Sequence, residues 1–264
     1  MKYSDYQHLQ FERRGRVLEV VMNRPDKMNA VDEQLHGELA RVFTDAAHDP
    51  ESDVIVLTGA GKMFSAGGDI ELLQRGIDDP AFMEAMALEG KQLLFSLLDC
   101  EKPVIAKVNG HATGLGATMA LFCDVIFAAD HARIGDPHVA VGLTAGDGGA
   151  VIWPQLIGYA RAKEYLMTGE LVSAVDAARI GLINHAVPAA ELDARVAEFA
   201  DRLAAGAGRA IRWTKMAINI RLKQVAQSVM DASVAYELMS SRTADHQEAV
   251  NAFRERRKPV FTGR

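Results

Sequence analysis

The chain is poor in several features that would each point to a special class of protein. It has two cysteines, Cys100 and Cys123, set among apolar residues and in no CxxC spacing. That excludes a disulfide scaffold and predicts two reduced, buried thiols in a cytoplasmic protein. No block of one charge is present: 29 Lys and Arg stand against 35 Asp and Glu, for a formal net charge of −6. The one basic run, Arg254 to Lys258, is interrupted by Glu255 and reads either as a solvated helix face or as a phosphate contact. Nucleic acid is therefore not an expected partner. No apolar stretch approaches the roughly 18 residues needed to cross a bilayer. Met1 to Gln10 is polar and lacks a signal-peptide core, so no membrane role is expected.

Several catalytic motifs are missing too. Gly59-Ala60-Gly61-Lys62 resembles the end of a phosphate-binding loop, but Met63 stands where Ser or Thr should follow. Gly114-Leu115-Gly116 lacks the third glycine of a dinucleotide fingerprint. The eight histidines form no HExxH or H-x₃₋₅-H pair, and no GxSxG elbow occurs. No metal or redox cofactor is expected.

What remains is a chain of 264 residues, 49% hydrophobic, long enough for one large core. Strand patterns at 16–22, 54–58, 104–108, 125–129 and 183–187 alternate with helical patterns at 32–47 and 81–98. Two short helices are expected at 160–167 and 173–180. This alternation predicts an α/β fold with a largely parallel sheet under helical cover. After Pro188 the pattern is helical, at 191–204, 209–225 and 229–256. We expect an α/β core over 1–200 and a helical C-terminal segment over 201–264, packed on the core or on another subunit.

Two glycine-rich turns are the main chemical signal. Phe64-Ser65-Ala66-Gly67-Gly68-Asp69-Ile70 follows the strand ending in Val56-Leu57. Asn109-Gly110-His111-Ala112-Thr113-Gly114-Leu115-Gly116-Ala117-Thr118 follows Val104 to Val108. Glycine lets backbone approach a ligand where a Cβ would clash. A helix start leaves N–H groups unpaired, with the positive end of the dipole behind them. Two such turns facing each other can present two N–H groups to one oxygen, which suits chemistry that places negative charge on a carbonyl.

These turns, with Asn23-Arg24-Pro25, Met28-Asn29-Ala30, Cys123-Asp124, Gly135-Asp136-Pro137 and Gly146-Asp147-Gly148-Gly149, resemble the enoyl-CoA hydratase/isomerase (crotonase) family over essentially the whole chain. The resemblance implies a spiral of repeated ββα units with a helical C-terminal segment. It also implies a homotrimer or a homohexamer built as a dimer of trimers. The implied substrate is an acyl-CoA thioester, with coenzyme A arriving as part of that substrate. By motif position, the thioester oxygen would be held by the backbone N–H groups of Gly68 and Leu115. The family often has glycine where Leu115 stands, so leucine keeps the donor and narrows the pocket. Lys27 and Met28 would lie by the adenine, Ala66 and Ile70 would flank the pantetheine arm, and Gly67 and Asp69 would be further CoA or substrate contacts. Gly114 and Thr118 would line the acyl site. Arg256, Lys258 and Phe261 would reach the nucleotide of a neighbouring subunit.

The chain departs from the family's hydratases where they carry two glutamates: here those positions are Thr118 and His138. A threonine hydroxyl is too weak a base to stand in, whereas neutral histidine can act near pH 7. Asp147, on a glycine-flanked loop, is the remaining acid. It is expected to move a proton with His138 as partner, or to cap the helix that follows. His138 could equally make a structural hydrogen bond, as could His111, and Asp69 could cap its own helix. Hydration or double-bond isomerisation of an enoyl-CoA is the leading expectation. The alternatives are a hydrolase, decarboxylase or C–C-cleaving enzyme on the same scaffold, or a non-catalytic acyl-CoA-binding relative. Phe82, Met83, Met86 and Leu88 either cap an acyl tunnel or are plain core.

Overall fold

A computed structural model describes residues 3–264. The main sheet has six strands in the order β1-β2-β3-β4-β6-β9. They are β1 (Leu9–Arg14), β2 (Val17–Met22), β3 (Val54–Gly59), β4 (Val104–Val108), β6 (Val125–Ala129) and β9 (His185–Val187). Only the β1–β2 pair is antiparallel; every other neighbour is parallel. A second sheet joins β5 (Ala112–Thr113), β7 (Arg133–Gly135) and β8 (Val172–Ser173).

The strands are short β-branched runs, and β3 is buried along its whole length, as a parallel strand covered on both faces must be. One face of the sheet meets α1 (Glu33–Ala47), α3 (Pro80–Asp99) and α4 (Leu115–Phe122) in a core built on Phe43, Leu57, Leu93 and Trp153, and α2 (Ile70–Asp78) packs on α3 outside that core. The other face carries Val17, Val56, Ile105 and Phe127 and is covered by Leu192, Val196 and Ala200. Those residues belong to α7 (Leu192–Ala204), which follows α5 (Gly149–Thr168) and α6 (Ala174–Ile180). Two further helices, α8 (Gly208–Ser240) and α9 (Ala244–Arg254), pack back onto α3, α5 and α2. The expected division near residue 200 falls in the last turn of α7. No helix is long and apolar enough to cross a membrane.

Three details differ from the sequence reading. The expected helices at 209–225 and 229–256 are one 33-residue helix, α8, followed by α9. Residues 226–228 hold no glycine or proline, whereas Thr243 accepts from the His246 N–H and so restarts the chain as α9. The helix expected at 160–167 begins earlier, at Gly149, and is kinked at Gly158 (φ 77°). Strand β1 was not expected, because its mostly exposed LQFERR sequence carries three charges. Both cysteines are free and buried, as expected.

Candidate functional site

The two glycine-rich turns are bound to each other. The N–H groups of Phe64 and Ser65 donate to the His111 carbonyl, and the Thr113 N–H donates to the Ser65 carbonyl. Gly67, at φ +82°, lies so close to the second turn that a Cβ there would stand 2.7 Å from the Thr113 oxygen. A Cβ on Gly116 would meet Ser65 at 2.7 Å. These glycines therefore allow the turns to meet, and that meeting sets where their N–H groups point. Neither the Gly68 N–H nor the Leu115 N–H donates to any acceptor among the described residues. Leu115 is the first residue of α4, so the positive end of that helix dipole lies behind its N–H.

Gly68 and Leu115 line a cavity of about 170 Å³, together with Ala66, Gly67, Gly114, His138 and Asp147. Its apolar wall includes Leu73, Met83, Met86 and Val234. Met83 and Met86 thus face the site, while Phe82 lies beneath the Arg75 guanidinium and Leu88 is exposed. Thr118 is fully buried behind the lining and donates its hydroxyl to Asp147 Oδ1 at 3.3 Å.

His138 opens a single-turn helix, and Asp147 precedes α5. Asp136, wholly buried, hydrogen-bonds His138 Nδ1. His138 Nε2 lies 3.6 Å from Asp147 Oδ2. Burial alone would lower the His138 imidazole, but the carboxylates of Asp136 and Asp147 outweigh it and hold the ring well above 6.5. Burial pushes the Asp147 carboxyl up, and His138 opposes that rise. The Gly149 N–H at the start of α5 also favours the ionised form, so Asp147 serves the helix start and faces the cavity at once. Asp136, His138 and Asp147 offer ligand-type atoms within 4.8 Å of one another. Asp136 Oδ1 occupies Nδ1 and Asp147 takes the Thr118 hydroxyl, while the buried Asp136 Oδ2 has no hydrogen-bond partner among the described residues.

Among the cavity residues that the sequence did not single out, one is an acid. Glu237, on α8, lines the same space. Burial, with the like charge of Asp147, raises its carboxyl to about 8. Its pattern among exposed neighbours such as Tyr236 and Met239 gave no signal.

The remaining candidates lie outside the cavity lining. Asp69 caps α2 through the Glu71 N–H and faces Arg24 at 3.3 Å. Ile70 begins that helix. Lys27 and Met28 sit on an exposed turn, with Met28 in the left-handed region. Arg256, Lys258 and Phe261 are exposed beyond α9, and the chain after them is tied to Asp245 by the Thr262 and Gly263 N–H groups. His111 accepts from the Arg133 N–H, a structural bond.

A backbone pair of unused N–H donors facing buried acid–base side chains, on a spiral α/β scaffold, defines a class of enzyme that stabilises an oxyanion. Residues 12–264 match the family model described as enoyl-CoA hydratase/isomerase. The chain is 34% identical over 259 residues to a crotonyl-CoA hydratase from Syntrophomonas wolfei, covering 97% of this chain and 98% of that protein. It is 34% identical over 271 residues to a carnitinyl-CoA dehydratase from Proteus mirabilis, covering 98% and 99%. A crystal structure of an enoyl-CoA hydratase/isomerase from Mycobacterium paratuberculosis superposes with a TM-score of 0.90 at 34% identity, covering 94% of this chain and 99% of that one. The chain belongs to the enoyl-CoA hydratase/isomerase family: it has the crotonase fold and is an enzyme of the hydratase/isomerase type.

Proposed function

We propose that the protein adds water to a 2-enoyl-CoA, or moves its double bond, through a thioester enolate. The observation that carries this reading is the pair of unengaged N–H groups at Gly68 and Leu115 on the cavity that Asp147 and His138 also line. The thioester oxygen would accept from both, and the α4 dipole would favour its negative charge. Asp147 is then the base, its ionised form favoured by the His138 imidazolium beside it and opposed by burial. The two family glutamate positions hold Thr118 and His138, so the route differs from a two-glutamate one. Coenzyme A enters as part of the substrate. Lys27 and Met28 would meet its adenine, with Ala66 and Ile70 flanking the pantetheine arm. This chemistry calls for no metal or redox group.

A homotrimer or homohexamer is part of the same reading. Its support is the set of exposed apolar residues Trp213, Ile220, Tyr236, Met239 and Phe253 on α8 and α9, which a monomer leaves in water. In such an assembly Arg256, Lys258 and Phe261 could reach a neighbour's nucleotide. The two unoxidised buried thiols fit a reducing compartment such as the cytoplasm.

A second reading is favoured by one observation. Asp136 grips His138 Nδ1 and leaves Nε2 3.6 Å from Asp147 Oδ2 at the cavity, so that Asp147 and His138 form an acid–base pair able to activate water for attack on a carbonyl. The product would then be a hydrolysed thioester, or a cleaved C–C bond next to the bound carbonyl. Incubation with crotonyl-CoA and 3-hexenoyl-CoA in D₂O, followed by NMR, separates these outcomes. Formation of 3-hydroxybutyryl-CoA supports hydration. Migration of the hexenoyl double bond supports isomerisation. Release of free CoA supports the hydrolytic reading and overturns the first.

A further inference from the structure

Glu237 is unusual for a half-buried carboxyl. Its side chain makes no hydrogen bond or ion pair with the described residues, although it borders the cavity beside His138 and Asp147. A carboxyl placed there for stability alone would be costly, because burial without a partner penalises it. The helix that carries it is fixed against the Asp147 loop. A Cβ on Gly146 would stand 2.4 Å from the Ser233 carbonyl oxygen, 2.6 Å from Glu237 Cβ and 2.8 Å from Glu237 Oε2. The Ser233 hydroxyl donates to the Gly146 carbonyl at 2.9 Å. Glycine at 146 thus lets α8 press its glutamate against the residue preceding Asp147.

We propose that Glu237 is the second proton-transfer group of this site, delivering a proton to the substrate α-carbon while Asp147 activates water. This rests on the hydratase reading above and completes it. Asp147 takes a proton from water, whose oxygen bonds to Cβ. The π electrons move onto the thioester oxygen held by Gly68 and Leu115. The enolate then collapses, re-forms the C=O bond and takes the Glu237 proton at Cα. Glu237 is left ionised and Asp147 protonated. One proton returned from Asp147 to Glu237 through solvent resets the site, with one water added overall.

The electrostatics agree. The titratable and charged groups lining the cavity are His36, Lys91, His138, Asp147 and Glu237, with Asp136 on His138 Nδ1. His36 is engaged by Glu89 and Lys91 by Asp231. His138 pairs with Asp136 and lies 3.6 Å from Asp147, and Asp147 and Glu237 are two carboxyls lining one space. Two such groups do not both ionise readily. Burial raises both carboxyls; His138 favours ionisation at its neighbour Asp147, while Glu237 has no such partner beside it and is pushed up to about 8.

The test uses Glu237→Gln, Glu237→Asp and Asp147→Asn in the full-length protein. Two reactions are followed: hydration of crotonyl-CoA, and exchange of the α-protons of butyryl-CoA in D₂O, a step that needs no water addition. Expected for Glu237→Gln is a loss of hydration of about 10²-fold or more, with KM within about threefold and exchange abolished. Glu237→Asp should restore part of both. Asp147→Asn should lose hydration but keep exchange, a split that general structural damage would not produce. In the wild type, hydration should fall and exchange rise as pH passes about 8. Hydration within about threefold of wild type in Glu237→Gln would overturn the proposal, as would exchange that survives this variant. A wild-type enzyme that binds crotonyl-CoA yet hydrates none of it would overturn the hydratase reading itself, and that silence precedes any variant.

Discussion

The two ends of the cavity are built on different principles. At one end, the turns at Gly67–Gly68 and Gly114–Leu115 offer only backbone, fixed by glycines that let the turns touch and by hydrogen bonds between them. At the other end, Asp136, His138, Asp147 and Glu237 offer only side chains, brought from two loops and the long helix α8. The first end can be altered only by moving the chain. The second can be rewritten by single substitutions, and here Thr118 and His138 stand at the two family glutamate positions. A scaffold that keeps its carbonyl-binding end rigid can therefore carry different proton chemistry at the other.

The largest effect should come from the side-chain end. Asp147→Asn keeps the shape and the Thr118 contact but removes the base. We expect kcat for hydration to fall by about 10²–10⁴-fold, with substrate affinity little changed. Steady-state kinetics with a direct binding measurement checks this. Unchanged kcat would return Asp147 to a role at the helix start alone.

The backbone end calls for a substitution that deletes an N–H. Leu115→Pro does so at the first position of a helix, where proline is well tolerated, and this N–H has no partner within the described chain. The expected loss is about 10²–10³-fold in kcat, the usual value of one oxyanion donor. A folded Leu115→Pro protein with near-normal turnover would sink the donor assignment.

The two ends also differ in how legible they were in the sequence. The turns could be read because glycine at Gly67, Gly68, Gly114 and Gly116 has one main physical use, close approach of backbone. Asp147 and His138 could be read because they lie on or near glycine-marked loops. Glu237 could not. It sits in a long amphipathic helix, between exposed Tyr236 and half-buried Leu238, and a glutamate there looks like any solvated helical residue. Only the contact with Gly146, far away in sequence, brings it to the cavity. The same limit explains the split assigned to α8 and the missed edge strand β1. Local pattern ranks helix and strand tendencies, but tertiary packing decides where an element is continuous.

A third prediction follows from the proton that Glu237 holds. Its folded-state carboxyl is raised from 4.5 to about 8. The linked stability is fully present below about 4.5 and is lost as pH rises towards 8. His138 is also raised, so its contribution is present below 6.5 and fades as pH climbs through its higher folded-state value. Glu237→Gln removes the first dependence. Between pH 5 and pH 8 the melting temperature of the wild type should therefore fall relative to that of Glu237→Gln, by about a few degrees. Parallel thermal melts across this range check the sign; a constant difference would mean the carboxyl is not held protonated in the folded state.

The smallest effect on chemistry should come from the only side chain that the carbonyl-binding pair projects. Leu115 lines the cavity and is 7% exposed. Leu115→Ala keeps the N–H and the first turn of α4 but opens space beside the bound carbonyl. Stability should drop by about 2 kcal/mol, at the low end for a buried leucine because the site is partly open. For crotonyl-CoA, kcat should stay within about threefold, since the donor is unchanged. For α-branched or bulkier 2-enoyl-CoA thioesters, kcat/KM should rise, because the leucine no longer fills that space. Kinetics over such a series checks both halves. If Leu115→Ala loses as much as Leu115→Pro, the side chain itself sets the position of the turn, and the division of the cavity into a backbone end and a side-chain end fails at this residue.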